Sequence, residues 1–394
     1  MKKIISVIIS ILLISCIAMP AITVSAAEIT ATTSADGSIS AFQAIIDFLN
    51  SILDWFRKLF GIKVEEELTP LVPIENDTAD VIVNFGAYGD GIHDDTRAIQ
   101  NALDYMKKNG GTIYFPDGEY IISACLIFYS EQELVFSDNA VLKRAKNDSP
   151  LKYILASFTD SDTGEYNGVR NTKIIGGKFD GNSEVASNLT IINLCHAKNV
   201  TISDAEFVNG SFWHYIEMAS CKNITVENCS FDSESYTLFR NDLTDEMIQL
   251  DVAKSGNYGP VYNIDGDLVN FIKDEVPCSD IYIKGCTFNC SNGPAIGEHN
   301  GYAHSGVYIF DNEFNGVAGN TSASNGYIKF MSGTTGVEVY NNTFNSTADD
   351  TIKNKGIVCL NSDTDTNKAY NNVFTGYFSQ YFSDNIVAEN NMFN

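Results

Sequence analysis

The sequence is poor in basic residues. Its 25 Lys and Arg residues stand against 50 Asp and Glu residues, which gives a formal net charge of −25. Proteins that bind nucleic acids neutralise phosphates with clustered Lys and Arg side chains. We therefore expect no nucleic-acid partner, and a polyanionic glycan would need a local basic patch.

Beyond its N-terminus the chain also lacks long apolar runs. No later segment approaches the roughly 20 apolar residues that a membrane-spanning helix needs. Residues Met1 to Ala26 fit a signal peptide, because Lys2 and Lys3 precede an apolar run and Val24-Ser25-Ala26 forms a small-residue cleavage site. We expect a secreted, extracellular protein. A cell-surface lipoprotein is the alternative, since Cys16 stands where lipidation would occur.

The segment from Ser40 to Ile62 carries apolar residues at a helical period and predicts an extra amphipathic N-terminal helix. An acidic stretch that contains proline follows, from Glu65 to Asp80. The expected organisation is a signal peptide over 1–26, this helix and linker over 27–80, and a main domain over 81–394. The helix either packs on the main domain or attaches the protein to a cell or membrane surface.

The main domain contains an internal repeat that is marked by phenylalanine, with most intervals between 19 and 30 residues. Aliphatic residues usually stand seven and five positions before each phenylalanine, which is the alternation of a short strand. One such unit cannot bury its own apolar face, but units stacked in parallel do so. The pattern predicts an all-β solenoid. The repeated residues are Phe179, Phe207, Phe231, Phe288, Phe314, Phe344, Phe374 and Phe393.

Two positions before the phenylalanine, the last four coils carry asparagine, which predicts a side-chain ladder at a turn. These residues are Asn312, Asn342, Asn372 and Asn391. Two earlier coils have Cys229 and Cys286 in the same place, so we expect these to be stacked core thiols and not a disulfide. Phe231 and Phe288 are 57 residues apart, which we interpret as two coils with a long loop from Ser255 to Pro277.

The segment from Asn84 to Tyr120, NFGAYGDGIHDDTRAIQNALDYMKKNGGTIYFPDGEY, resembles the N-terminal signature of the pectate lyase-like superfamily, which includes polygalacturonases, rhamnogalacturonases and phage tailspikes. The resemblance implies a right-handed parallel β-helix, a single-stranded solenoid whose N-terminal mouth is capped by a helix. The residues predict this capping helix from Asp95 or Thr96 to Lys107, with Gly110-Gly111 ending it. The neighbouring carboxylates Asp90, Asp94 and Asp95 are then expected to be structural.

The resemblance to polygalacturonases continues into the segment Asn241 to Asp251, NDLTDEMIQLD, and implies that Asp245 takes the position of their first catalytic carboxylate. The sequence then departs from the pattern, because Gly293-Pro294 stands where those enzymes have paired aspartates. Lys329, in NGYIKF, loosely resembles their basic substrate-binding motif. The resemblance is therefore strong for the fold and partial for the site.

Hydrolysis of a glycosidic bond needs two carboxyl groups about 5 to 10 Å apart. The catalytic candidates are Asp245, Glu246, Asp251 and Glu298. In a strand Asp245 and Glu246 face opposite sides, so only one of them can join Asp251 on the outer face. We assign no metal and no cofactor, since the segment that begins at Asn263 has Leu268 at the sixth position, where a calcium loop requires glycine.

Further polar residues in neighbouring segments are candidates for binding a sugar. Histidine orients carboxylates and binds hydroxyl groups, and the long polar side chains next to the candidate carboxylates would line the same surface. The predicted substrate-binding residues are His214, Glu217, Gln249, His299, His304 and Lys329.

Three functions fit these residues. The first is a glycoside hydrolase that acts on a pectic or other extracellular polysaccharide through carboxylate acid–base chemistry. The second is a polysaccharide lyase with a basic residue such as Arg240, His299 or Lys329. The third is a non-catalytic glycan-binding or adhesion protein, because a solenoid offers long flat faces. The oligomeric state stays open.

Overall fold

A computed structural model describes residues 68–146, 151–182, 184–185, 188–210, 213–232, 246–254, 261–291, 293–298, 301–318, 326–331, 333–360 and 366–394. The predicted signal peptide and the predicted helix from Ser40 to Ile62 lie outside these residues. The chain divides into two compact units, Met1–Leu68 and Thr69–Asn394. All of the strands given below belong to the second unit.

Three parallel sheets build the second unit, and each strand pairs with the equivalent strand one coil later. The first sheet consists of β1 (Thr78–Asp80), β3 (Gly111–Phe115), β6 (Gln132–Phe136), β9 (Arg170–Ile175), β12 (Lys198–Ser203), β15 (Lys222–Glu227), β20 (Ser279–Lys284), β23 (Ser305–Phe310), β26 (Thr335–Tyr340), β29 (Lys368–Tyr370) and β32 (Val387–Glu389).

The second sheet follows the first around each coil. It consists of β2 (Asp90–Asp94), β4 (Gly118–Ile122), β7 (Ala140–Arg144), β10 (Lys178–Asp180), β13 (Glu206–Val208), β16 (Ser230–Asp232), β21 (Thr287–Ser291), β24 (Glu313–Val317), β27 (Thr343–Ser346), β30 (Val373–Thr375) and β33 (Met392–Phe393).

The third sheet completes the coils. It consists of β5 (Leu126–Phe128), β8 (Tyr153–Ser157), β11 (Thr190–Cys195), β14 (Ile216–Ala219), β17 (Ile248–Asp251), β22 (Ile296–Gly297), β25 (Ile328–Phe330), β28 (Lys355–Cys359) and β31 (Gln380–Phe382). A small antiparallel hairpin, β18 (Val261–Tyr262) with β19 (Leu268–Val269), lies outside the three sheets. The predicted fold, a parallel β-helix, is confirmed.

The repeated phenylalanines form a continuous column inside the second sheet. Phe207 pairs with Phe231, Phe231 with Phe288, and Phe288 with Phe314. The Phe231 and Phe288 rings stack with centroids 4.8 Å apart and an interplanar angle of 5°. Because identical rings lie over one another at the spacing of the strands, the sequence repeat is also the packing repeat of the core.

The same pairing corrects the interpretation of the interval from Phe231 to Phe288. β16 pairs directly with β21, so the 57 residues form one coil and not two. The additional length lies in the connections on either side of β17, which include the hairpin of β18 and β19. The predicted loop from Ser255 to Pro277 therefore belongs to the same coil as β17.

The corner between the first and second sheets depends on a left-handed backbone conformation. Asn228, Gly285, Asp311 and Asn341 follow the first-sheet strands of successive coils with φ of 55°, 64°, 56° and 57°. Asn, Asp and Gly tolerate this region best. The residue types at the corner thus turn each coil at the same point and keep the strands in register.

The position after this left-handed residue holds the predicted asparagine ladder. The Asn342 side-chain oxygen accepts from the backbone N–H of Asn312 at 2.9 Å, and the Asn342 N–H donates to the Asn372 side-chain oxygen at 3.0 Å. Cys286 occupies the same column, where its N–H donates to the Asn312 side chain at 2.8 Å. All eight cysteines among the described residues are buried thiols, and no disulfide links them.

The N-terminal mouth carries helix α1 (Thr96–Tyr105), which ends two residues before the predicted Lys107. Asp95 is its N-cap residue, but the Asp95 side chain accepts from the N–H groups of Tyr88 and Gly89 in the preceding loop. The Thr96 N–H is accepted by Asp94 at 3.0 Å. These bonds support the structural role expected for the carboxylate cluster.

Two further findings concern the ends of the main domain. β1 begins at Thr78 and pairs with β3, so the β-helix starts three residues before the predicted boundary at residue 81. Among the described residues, no helix has the length and apolar character needed to cross a membrane.

Candidate functional site

The outer face of the third sheet carries a column of polar residues in register. Asn193, Glu217, Gln249, Gly297 and Lys329 pair in this order through β11, β14, β17, β22 and β25. Their neighbours along the strands alternate to the core, where the isoleucines stack. These core residues are Ile192, Ile216, Ile248, Ile296 and Ile328.

The column is polar but nearly inaccessible. Glu217 is 4% exposed, Gln249 is 3% exposed and Lys329 is 8% exposed. The Asn193 amide donates to Glu217 at 3.1 Å. Ionisable side chains are rarely buried without a functional or structural reason. The outer face of the third sheet is therefore the best candidate for a functional site on the described part of the β-helix.

Glu246 packs against Gly297 of this column. A Cβ atom at Gly297 would lie 2.1 Å from the Lys329 carbonyl oxygen and 3.3 Å from Glu246 Cγ. Because glycine has no side chain, the Lys329 backbone and Glu246 Cγ can pack closely against it. The Glu246 Oε1 atom lies 3.8 Å from Lys329 Nζ. A fully buried acid thus stands next to the one base of the column.

His214 fixes the backbone of Glu246. Its Nδ1 lies 2.5 Å from the Glu246 carbonyl oxygen, and a carbonyl can only accept, so Nδ1 carries the proton. His214 precedes β14 and Glu246 precedes β17, which is the next strand of the third sheet. The histidine therefore positions the carboxylate from one coil below.

Glu217 and Asp251 form a second arrangement on the same face. Asp251 pairs with Ala219, so the Glu217 and Asp251 Cα atoms are separated by one coil and two residues. Strand spacing and rise give about 8 Å for this separation. Asp251 is 3% exposed, and its Oδ1 accepts the Val252 N–H at 2.7 Å.

Glu298 has a different environment from the other catalytic candidates. Its Oε1 accepts from the Met331 N–H at 2.8 Å and from the Thr334 hydroxyl at 2.7 Å, and its Oε2 lies 3.3 Å from His304 Nε2. Burial raises the pKa of Glu298. These bonds make Glu298 an anchor for the segment that follows Lys329, and its predicted catalytic role stays a prediction.

His304 completes this buried anchor. The Cys278 N–H donates to His304 Nδ1 at 2.9 Å, which leaves the proton of the neutral ring on Nε2, 3.3 Å from Glu298 Oε2. His304 is 0% exposed. The ring therefore supports the fold around Glu298, and its predicted substrate-binding role stays a prediction.

The remaining predictions divide clearly. Asp245 and His299 lie outside the described residues, and their predicted roles stay predictions. Glu246, Asp251, Glu217, Gln249, Lys329 and His214 all lie on or next to the third sheet. The sequence reasoning missed Asn193 and Gly297. Only alignment of the third-sheet strands would have found them, since both are in register with Glu217 and Gln249.

The family model described as rhamnogalacturonase A/epimerase, pectate lyase-like, matches residues 80–267. Over these residues the chain is pectate lyase-like, and its three parallel sheets and stacked coils agree with the β-helix that the resemblance implied.

Two relatives illustrate the range of functions in this superfamily. Plasmin and fibronectin-binding protein A of Streptococcus pneumoniae is 29% identical over 211 residues, which are 48% of this chain and 29% of the relative. A polygalacturonase of Gossypium hirsutum is 26% identical over 293 residues, which are 62% of this chain and 69% of the enzyme. The match thus covers less than a third of the first relative's length.

Solved structures of the superfamily support the fold. The crystal structure of PfbA, a surface adhesin of Streptococcus pneumoniae, aligns with a TM-score of 0.61 at 20% identity, covering 80% of this chain and 78% of that chain. At this identity the likeness concerns the fold. Similarity to this superfamily is therefore compatible with both an enzyme and an adhesin, and a function has to be argued from the residues of the site.

Proposed function

We propose that this protein is a secreted glycoside hydrolase that binds an extracellular polysaccharide along the outer face of the third sheet. Glu217 and Asp251 act as its two carboxyl groups. The observation that carries the proposal is their register, which puts the two Cα atoms about 8 Å apart. Paired carboxyl groups that cleave glycosidic bonds lie roughly 5 to 10 Å apart, and two side chains that project from the same face at this Cα spacing can reach that separation.

Each carboxyl group has a plausible part in the chemistry. One would protonate the leaving oxygen, and the other would act as the nucleophile or as the base for water. Low exposure, 4% for Glu217 and 3% for Asp251, excludes water and strengthens electrostatic interactions with the reacting sugar. The polar column around the pair supports binding, since Gln249 lies between Glu217 and Gly297.

Glu246 and Lys329 form the adjacent part of the proposed site. Their charges are 3.8 Å apart, and Lys329 is the only cation in the column, so it is the group that would attract a sugar carboxylate or a developing negative charge. Glu246, held by His214, orients the ammonium group. A lyase would use Lys329 as its base, which gives the alternative reaction a defined residue.

The test is a reducing-end assay of the secreted protein on pectic, uronic and neutral polysaccharides, read in parallel at the ultraviolet absorbance of unsaturated uronates. Glu217→Gln and Asp251→Asn should each lower the rate by about 10²- to 10⁴-fold, as expected for loss of an acid or base. The matched control is Glu206→Gln, which removes an exposed carboxylate that pairs with Lys178 on the second sheet.

The outcomes separate the reactions. New reducing ends without absorbance, lost in both site variants and kept in the control, support hydrolysis. Absorbance that disappears in Lys329→Gln would replace hydrolysis by elimination. Activity that survives both Glu217→Gln and Asp251→Asn contradicts the assigned carboxyl groups.

Adhesion is the second function to be tested, because the relative from Streptococcus pneumoniae is named for binding plasmin and fibronectin. The shared region covers 48% of this chain. Binding of host proteins or glycans to immobilised protein, unchanged by Glu217→Gln and Asp251→Asn and without turnover of any polysaccharide, would favour adhesion over catalysis.

A further inference from the structure

His196 lies at the corner after β11 and joins two surface loops to the β-helix. One loop connects β8 to β9, and the other is the part of the long connection from Val261 to Pro277, which contains the hairpin of β18 and β19. We infer that His196 is held as a doubly protonated imidazolium, and that loss of its proton at higher pH weakens the attachment of the loop Val261–Pro277.

The geometry of the ring requires two donors. Nδ1 lies 2.7 Å from the Glu165 carbonyl oxygen, and Nε2 lies 2.9 Å from the Ile272 carbonyl oxygen. A carbonyl oxygen only accepts, so both nitrogens must carry a proton for both bonds to form. In a neutral ring one nitrogen lone pair would face a carbonyl oxygen at hydrogen-bond distance, which is repulsive.

The charged ring is buried and has a nearby counter-charge. The His196 side chain is 0% exposed, and Asp274 Oδ1 lies 4.0 Å from Nδ1. Of the described residues, Asp274 is the only charged group within that distance. From the first loop, Glu165 contacts the ring through its backbone carbonyl while the residue itself is exposed, and Phe271 packs on the ring with centroids 6.1 Å apart.

The same two loops are joined around the histidine by bonds that do not depend on protonation. The Ile272 N–H donates to the Thr163 carbonyl at 2.7 Å, and the Glu165 N–H donates to Asp274 at 2.5 Å. The Tyr166 hydroxyl donates to the Pro277 carbonyl at 2.6 Å. His196 is buried between these two loops, so loss of its proton weakens the attachment of the loops to each other without unfolding the β-helix.

The joint lies close to the third sheet in sequence and space. The Glu275 N–H donates to the Ala253 carbonyl at 3.4 Å, two residues after Asp251. The loop is therefore fixed directly after the strand that carries Gln249 and Asp251. The sign of the effect is defined: the attached loop requires the proton, so attachment is complete in acid and decreases as pH rises.

The direct test uses the full chain labelled with ¹⁵N-histidine, which contains five histidines. Long-range ¹H–¹⁵N spectra distinguish a doubly protonated ring from either neutral tautomer, and His196→Gln identifies the signal. We expect both nitrogens of His196 to be protonated at pH 5.5. A lone pair on either nitrogen at this pH, with the loop still attached, would overturn the inference.

The functional test is hydrogen exchange of peptides that cover residues 163–168 and 271–277, compared between the wild type and His196→Gln at each pH so that intrinsic exchange rates cancel. The wild type should be protected about tenfold more at pH 5.5, as expected for charged hydrogen bonds, and the ratio should approach one at pH 9.

The control is His93→Gln, since His93 is exposed on the N-terminal cap and pairs with Asp90. Its protection ratio for the two loops should be one at every pH. A ratio for His196→Gln that stays constant across the pH range would show that the ring acts without a change of protonation. If His196→Gln does not fold, variants of the other four histidines identify the His196 signal by elimination, and the wild-type spectra then decide the protonation state.

Discussion

The buried asparagine ladder makes a quantitative prediction about stability. Asn342 is 1% exposed, and its side chain serves neighbours in two directions. Its Oδ1 accepts from the Asn312 N–H at 2.9 Å, and its Nδ2 donates to the Ile309 carbonyl at 2.9 Å. Asn342→Ala leaves the buried Asn312 N–H without this acceptor and removes the side-chain bond to the Ile309 carbonyl, which remains part of the sheet. At about 1 to 3 kcal/mol for the N–H and about 1 kcal/mol for the lost bond, the free energy of unfolding should fall by about 3 kcal/mol.

The assay is urea unfolding followed by circular dichroism, with the midpoint compared at equal slope. The matched control is Asn345→Ala, three residues later, whose amide donates to the Asn315 side chain at 2.9 Å on the outer face. Water replaces that bond, so the control should lose about 0.5 to 1 kcal/mol. If both variants lost the same free energy of unfolding, the buried position of the ladder would not explain the stability of the coils.

Two further predictions follow from the stacked core and the corner. Phe288→Ala removes a fully buried ring between Phe231 and Phe314 and should lower the free energy of unfolding in urea by about 3 to 5 kcal/mol. Phe393→Ala, at a position that is 51% exposed, should lower it far less. Similar losses in the two variants would contradict the packing argument. Gly285→Ala places a Cβ atom 2.6 Å from the Asn228 side-chain oxygen at a φ of 64° and should destabilise the protein by about 1 to 2 kcal/mol. Gly285→Asn, which matches its neighbours in the column, should cost less. A larger cost for Gly285→Asn than for Gly285→Ala would contradict the argument that the corner needs residues that tolerate the left-handed conformation.

Much of the fold could be predicted because the residues that repeat in the sequence are the same residues that pack on one another in the core. Phe179 to Phe393 recur in the sequence and stack in space. The same reasoning failed between Phe231 and Phe288, since a coil and a long connection have similar lengths. Only the pairing of β16 with β21 distinguishes them.

The site could be predicted by composition but not by arrangement. Glu246 and Lys329 were both candidates, yet they are 83 positions apart, and their contact depends on the absence of a side chain at Gly297. The sequence does not show which side chain packs against a glycine until the neighbouring strands are aligned. Glu298 shows the opposite limit, because its sequence context resembles that of an exposed acid, while Met331 and Thr334 occupy its carboxylate.

The left-handed corner residues also bear on how such a molecule changes in evolution. From β9 onward each first-sheet strand is followed by Asn, Asp or Gly in the left-handed conformation, and each strand pairs with the coils on either side. A duplication that begins and ends at this corner would insert a complete coil and leave every ladder continuous. The length of the β-helix is therefore able to vary by whole coils, while the residues around Glu217 and Asp251 keep their mutual positions.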